Sequence, residues 1–180
     1  MTVVRSRYRL EDALAVANTA HGPGAHRGVR ITAAGLDHDH LALPPDARRF
    51  LVDHAIVTPA SDPGPDHLAR LRALRSLLAL AATRRTAPLP TIDALLAGVA
   101  PRVYADGRVA TRRSGWDGLV DELILPLVEL AEAAPRLRRC QNAACRWIFV
   151  DRSRNASRRW CEMAVCGNRA KGRRHRHRIA

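Results

Sequence analysis

The sequence predicts a mainly α-helical protein: a helical N-terminal domain with one short β-hairpin, then a small C-terminal four-cysteine finger made of a β-hairpin and a basic helix. Apolar residues recur at helical spacing between Pro and Gly breaks over most of residues 1–135. An Asp-Gly pair separates two short β-prone runs within residues 102–110, which is typical of a tight hairpin turn. All four cysteines follow residue 135. A chain of 180 residues that is 47% hydrophobic is long enough for one sizeable core and a small satellite.

The first two predicted helices are short. Leu10, Leu14 and Ala17 share one helical face within residues 9–20. A short second helix is predicted after the Pro-Pro-Asp sequence at 44–46, with Phe50, Leu51 and His54 on one face. Both helices are therefore expected to pack one face against a common core.

Three further helices are predicted downstream. A long helix opened by Asp66 carries a leucine stripe formed by Leu68, Leu71, Leu74 and Leu78. Thr91 is expected to cap a shorter helix. The last helix of this domain runs from about Ser114 to Ala134, and Pro126 is expected to kink it or break it in two.

The cysteines form two equal pairs, Cys140 with Cys145 and Cys161 with Cys166. In a reducing cytosol, close cysteine pairs are more often metal ligands than disulfides. Four thiolates fill a tetrahedral zinc site and leave no position for a reactive water, so we expect one structural Zn²⁺. An iron-sulfur cluster, two disulfides or unrelated buried thiols remain as alternatives.

Positive charge is concentrated in the same segment. Residues 136–180 contain fourteen Lys and Arg against only Asp151 and Glu162, whereas the net charge of the whole chain is +13. Residues 1–135 are therefore nearly neutral. A balanced domain followed by a basic end indicates a polyanionic partner.

Within the finger, the strand-like run at 146–150 is expected to pair with a return strand at 158–161. Trp147, Phe149 and Trp160 are expected to form a minimal core over the metal, in preference to stacking on unpaired bases. A helix is predicted after Cys166, with its N-terminal N–H groups beside the thiolates. Its Arg169, Arg173 and Arg176 lie on one face.

Several classes of protein are disfavoured. No segment approaches the ~20 apolar residues of a membrane span, so we expect a soluble, cytoplasmic protein without a membrane partner. The chain has no Gly-Lys-Ser/Thr phosphate loop, no His-Glu-x-x-His and no Gly-x-Ser-x-Gly. We therefore expect no enzymatic activity and assign no catalytic residue.

Residues 153–161 and 166–171 resemble the CGNR zinc-finger family, which takes its name from the Cys-Gly-Asn-Arg string at 166–169. The resemblance implies that the four cysteines bind zinc and that Asn168 and Arg169 belong to the shared motif. It also implies DNA binding and an N-terminal ABATE domain of bacterial stress-induced transcription regulators. Residues 1–135 are compatible with that domain, with Asn18-Thr19 resembling its early motif.

The expected function is a DNA-binding transcription regulator whose helical domain (1–135) senses an effector or dimerises and whose finger (136–180) binds nucleic acid. The residues expected to contact nucleic acid are Arg152, Arg154, Arg158, Arg159, Asn168, Arg169, Lys171, Arg173, Arg174 and Arg176. DNA is favoured over RNA through the family resemblance. An RNA-binding or ribosome-associated protein, and a small-molecule sensor or enzyme with a docking finger, remain as alternatives.

Overall fold

A computed structural model describes residues 7–21, 38–83, 94–142 and 145–179. Its helices are α1 (Leu10–Ala17), α2 (Pro44–Asp53), α3 (Pro65–Ala82), α4 (Gly115–Ile124), α5 (Leu130–Ala133) and α6 (Asn168–Ile179). Its strands are β1 (Ala20–His21), β2 (His38–Asp39), β3 (Pro101–Val103), β4 (Val109–Thr111), β5 (Leu137–Arg139) and β6 (Ile148–Val150). The strands form three antiparallel pairs, β1–β2, β3–β4 and β5–β6. The fold is therefore mainly α-helical, as the sequence predicts, whereas the strand pair β1–β2 was not predicted.

Helix α3 lies at the centre of the core. Its leucine stripe is buried against α1 and α4, and Leu71, Leu74 and Leu78 are fully inaccessible to solvent. Helix α1 buries five consecutive residues from Ala13 to Ala17, so it lies between other elements and not on the surface. Burial of these apolar side chains is the main favourable term that holds the helices together.

Pro126 divides the last helix of the N-terminal domain as predicted. Helix α4 ends at Ile124, a 3₁₀ segment covers Leu125–Glu129, and α5 then adds one turn. Proline has no N–H to donate and its ring crowds the preceding turn, so the α-helical pattern cannot continue through it.

The hairpin β3–β4, which precedes α4, turns at Gly107, whose φ of 81° suits glycine.

The hairpin β5–β6 packs against the helical domain. Leu137 and Ile148 are buried in the same core as α1 and α3. The first strands of the finger segment and the helices of residues 1–135 thus share apolar side chains.

The partner of β6 differs from the prediction. The register pairs Leu137 with Val150 and Arg139 with Ile148, whereas the segment 158–161 forms no strand. That segment joins the hairpin through a hydrogen bond from the Gln141 N–H to the Arg159 carbonyl at 3.0 Å. Strand β5, which precedes Cys140, therefore pairs with β6. The first cysteine pair lies in the connection between these two strands.

The predicted capping residue Thr91 lies outside the described residues; a helical turn at 94–96 follows it. Among the helices of the described ranges, none combines the length and apolar character needed to cross a bilayer.

Candidate metal centre and nucleic-acid interface

The four cysteine Sγ atoms converge at one point, all within 4.8 Å of one another. Cys145 and Cys161 are 3.6 Å apart, and Cys161 and Cys166 are 3.8 Å apart. Zn–S bonds of about 2.3 Å in a regular tetrahedron separate sulfur atoms by about 3.8 Å. The sulfur spacing fits a single tetrahedral zinc ion.

Three local structures bring these sulfurs together. Cys140 directly follows β5, and Cys145 ends the next turn, in which its N–H donates to the Asn142 carbonyl at 2.8 Å. Cys161 ends the extended return segment. Cys166 lies in a π-helical turn over Met163–Gly167, and its N–H donates to the Glu162 carbonyl at 2.9 Å. The turn after β5, the end of the return segment and the π-helical turn thus bring the four sulfurs to one point.

Gly167, beside the last cysteine, is closely packed against Met163 and Trp160. A Cβ at Gly167 would collide with Met163 Sδ and would lie 3.2 Å from Trp160 Cδ1. A larger residue after Cys166 would therefore require Met163 and Trp160 to shift.

The chemistry of the donor set also fits a cation. Burial raises the pKa of the Cys166 thiol to about 11, and the neighbouring thiols add to that effect. The hydrogen bond with Cys145 and burial both raise the pKa of Cys161. Such thiols would be protonated on their own, so a bound dication is what stabilises them as thiolates. With four protein ligands the site is closed, and the ion has a structural role.

Asn142 connects the metal centre to α6, and sequence reasoning missed it. Its Nδ2 donates to Cys166 Sγ at 3.4 Å, while its Oδ1 accepts from Arg173 Nη2 at 3.3 Å. The side chain is buried. The position of Asn142 between Cys140 and Cys145 could have identified it from the sequence, because polar residues next to metal ligands often orient the coordination sphere.

The aromatic residues of the finger form its small core, as predicted. Phe149 is buried against the cysteines, and Trp147 and Trp160 pack beside it. The Arg158 guanidinium lies 4.9 Å from the Phe149 ring centroid, and that of Arg159 lies 5.4 Å from Trp160. These rings are therefore engaged with protein atoms on the faces where bases would stack.

A buried carboxylate shapes the loop after β6. Asp151 accepts hydrogen bonds from the Ser153 hydroxyl at 2.6 Å and from the N–H groups of Ser153 and Arg158 at 2.9 and 2.7 Å. These bonds, led by that from the Ser153 side chain, lower the pKa of Asp151. An Asp-x-Ser sequence is typical of such turns. The carboxylate fixes the loop that carries Arg152, Arg154 and Arg158.

The predicted nucleic-acid residues are all exposed and fall into two groups. The loop group comprises Arg152, Arg154, Arg158 and Arg159. The helix group comprises Asn168, Arg169, Lys171, Arg173, Arg174 and Arg176.

Three members of the loop group are engaged within the protein. Arg152 pairs with Glu11, and Arg159 Nε donates to Gln141 Oε1 at 2.7 Å. Arg158 donates to the carbonyls of Trp160 and Cys161. In the helix group, Arg173 donates to Asn142 Oδ1 at 3.3 Å and Asn168 donates to the Ala164 carbonyl at 3.0 Å.

Residues 136–179 match the family model of the CGNR zinc finger. The matched range contains all four clustered cysteines, the hairpin β5–β6 and helix α6. Among curated proteins, none matches the chain closely enough to indicate a relative. The match and the cysteine cluster identify a metal-binding zinc finger of a kind that indicates nucleic-acid binding.

Proposed function

We propose that this zinc-finger protein is a DNA-binding transcription regulator without enzymatic activity. The finger would bind duplex DNA in the cytoplasm, and the ABATE-like domain (1–135) would respond to a small-molecule effector or to a second copy of the chain. Involvement in stress responses rests on the family resemblance alone. In this proposal the two roles divide near residue 135, although Leu137 contributes to the helical core.

One observation carries the proposal: the positive charge of the finger has almost no acidic counterpart. Its two acids are Asp151, which is buried in its own loop, and Glu162, which is half-buried. Fourteen basic side chains around one metal-bound unit repel one another, and a phosphate backbone relieves that repulsion.

Contacts between the finger and the helical domain support a regulatory role. Asn18 binds the backbone of Ile148, and Arg152 pairs with Glu11. The rings of His54 and Trp147 stack with centroids 5.9 Å apart. A change in the helical domain would therefore reach the DNA-binding surface through direct packing.

RNA binding is the second candidate, and the aromatic residues argue against it. Sequence-specific RNA recognition relies on aromatic faces that receive unpaired bases. Phe149 and Trp160 instead face the cysteines and the overlying arginines.

The buried acid of the helical domain, Asp121, does not support catalysis there. Its carboxylate is already bonded to Arg70, Arg113 and Thr111.

The test is the binding of the zinc-loaded chain to a fluorescent duplex across a salt series. We expect log affinity to fall linearly with log salt, with a slope of about 0.9 per phosphate contact. Competition with single-stranded RNA of the same sequence should displace the duplex poorly. Absence of salt-sensitive duplex binding would remove the proposal, and preferential displacement by RNA would replace DNA with RNA. Recovery of promoter fragments with the chain from cells would test the regulatory role.

A further inference from the structure

The C-terminal helix α6 carries its cations in two separate rows. We name row A as Arg169, Arg173 and Arg176, and row B as Lys171, Arg174 and Arg178. Row A lines one surface groove together with Asn168 and Gly172, and row B lines a second groove with His175. The two rows therefore face different directions around the helix.

Helical geometry places a narrow ridge between the rows. The ridge consists of Asn168, Gly172, His175 and Ile179. At about 100° per residue, row A lies about 70–130° to one side of the ridge centre and row B about 70–130° to the other. Ala170, the buried residue of the helix, lies opposite the ridge. The ridge thus points away from the protein, with cations on both sides.

We propose that α6 enters the major groove of duplex DNA with the ridge toward the base edges and rows A and B toward the two phosphate backbones. This inference rests on the proposed function and specifies its binding mode. A helix about 10–12 Å across fits a groove about 12 Å wide. Gly172 lies near the middle of the ridge, and a Cβ there would meet only Arg176 Nη1, at 3.6 Å. The missing side chain lets the helix backbone approach the bases closely.

Other polyanions fit this arrangement less well. A flat anionic surface, such as a lipid bilayer or an acidic protein face, would engage one row while the other pointed away. The major groove of A-form RNA is too deep and narrow for side chains to read. A duplex groove with phosphates on both walls is the partner that uses both rows at once.

Asn168 and His175 are the ridge side chains able to hydrogen-bond with base edges. His175 is exposed near the middle of the helix. Asn168 starts the helix and donates from Nδ2 to the Ala164 carbonyl at 3.0 Å, which leaves its Oδ1 as an acceptor. The metal centre fixes the start of the helix, since Arg173 is tied to Asn142 and Asn142 to Cys166. The zinc ion would thus set the angle at which the ridge meets DNA.

The first experiment compares two charge-neutralising variants of the full chain, R169Q/R176Q for row A, which leaves the Arg173–Asn142 bond in place, and R174Q/R178Q for row B. R102Q/R112Q, which removes two exposed arginines of the helical domain, is the matched control. We expect each row variant to reduce the salt slope by about 0.9 for each phosphate that the row no longer neutralises, and the control to leave the slope unchanged. A reduced slope for only one row, or for neither while the unaltered chain still binds, would overturn groove insertion but leave DNA binding intact.

The second experiment blocks one groove at a time. A duplex in which cytosines carry a glucosyl group at C5 fills the major groove, and netropsin occupies the minor groove. We expect the modified duplex to bind roughly tenfold or more weakly, since the base edges of its major groove are no longer accessible, and netropsin to have no effect. Equal binding to modified and plain duplex would overturn the inference. Absence of any duplex binding would instead remove the proposed function itself.

Discussion

The side-chain amide of Asn18 is bonded in both directions to the backbone of Ile148. Its Nδ2 donates to the Ile148 carbonyl at 3.0 Å, and its Oδ1 accepts from the Ile148 N–H at 2.7 Å. Nδ2 also donates to the Leu14 carbonyl at 2.8 Å. One buried side chain thus satisfies the N–H and the carbonyl of Ile148 and joins the end of α1 to a strand 130 residues away.

Replacement of Asn18 by Ala should lower the free energy of unfolding by about 2–4 kcal/mol, because each buried polar group left unpaired costs about 1–3 kcal/mol. Chemical denaturation monitored by circular dichroism would measure the loss. N155A removes an exposed asparagine of the finger loop and should change stability by less than about 0.5 kcal/mol. Equal stability of N18A and N155A would show that the Ile148 pairing contributes nothing.

Removal of zinc should unfold the segment from Cys161 onward more than the hairpin β5–β6. The cysteine cluster and the start of α6 depend on the metal, whereas Leu137 and Ile148 are anchored in the helical core. Amide hydrogen exchange after chelation should show reduced protection over 161–170 and retained protection at Ile148, reversed when zinc is restored. Reduced protection in α3 as well would contradict this division.

The D121A variant should destabilise the protein by about 3 kcal/mol, the lower end of the cost of leaving buried charges unpaired. Asp121 is fully buried and accepts hydrogen bonds from Arg70 and from Arg113, the latter at 3.0 Å through two nitrogens. D117A is the matched control one turn earlier, because Asp117 also contacts both arginines but is 51% exposed. Its removal should cost less than about 1 kcal/mol. Similar unfolding midpoints for the two variants would refute the distinction.

The pair formed by Asp39 and Arg75 should make stability depend on acid. Burial by itself raises the pKa of Asp39, but hydrogen bonds from Arg75 and from the Leu41 N–H outweigh it and lower the pKa. A carboxyl with a lowered folded pKa binds fewer protons when folded. Its contribution is therefore complete above the unfolded pKa of about 3.9 and is lost as pH falls through the folded pKa.

The D39N variant should accordingly be less stable than the unaltered chain at pH 6 by up to about 1 kcal/mol, with partial exposure of the pair limiting the effect. The difference should shrink as the pH is lowered below about 4. Urea midpoints at several pH values would measure it, with D62N, which neutralises an exposed loop carboxyl, as the charge-matched control. A gap that stays constant across this range would show that the carboxylate charge is not responsible.

Local patterns predicted the elements whose cause is local. The leucine stripe of α3, the Asp-Gly turn of β3–β4 and the break at Pro126 depend on residues close together in the chain. The cysteine spacing predicted the metal centre for the same reason. The partner of β6 was predicted wrongly, because several short strand-like segments compete for one edge. Burial of Leu137 in the helical core favours β5.

The sequence by itself determined the helical class, the four-cysteine centre and the concentration of charge after residue 135. Each of these depends on composition or on spacing within a few turns of chain. Only the tertiary structure decided that Asn18 would bind Ile148, that Asn142 would link Cys166 to Arg173, and which loop arginines are engaged within the protein. These contacts join residues far apart in the chain, and they form only when packing of the whole core brings their partners within hydrogen-bond distance.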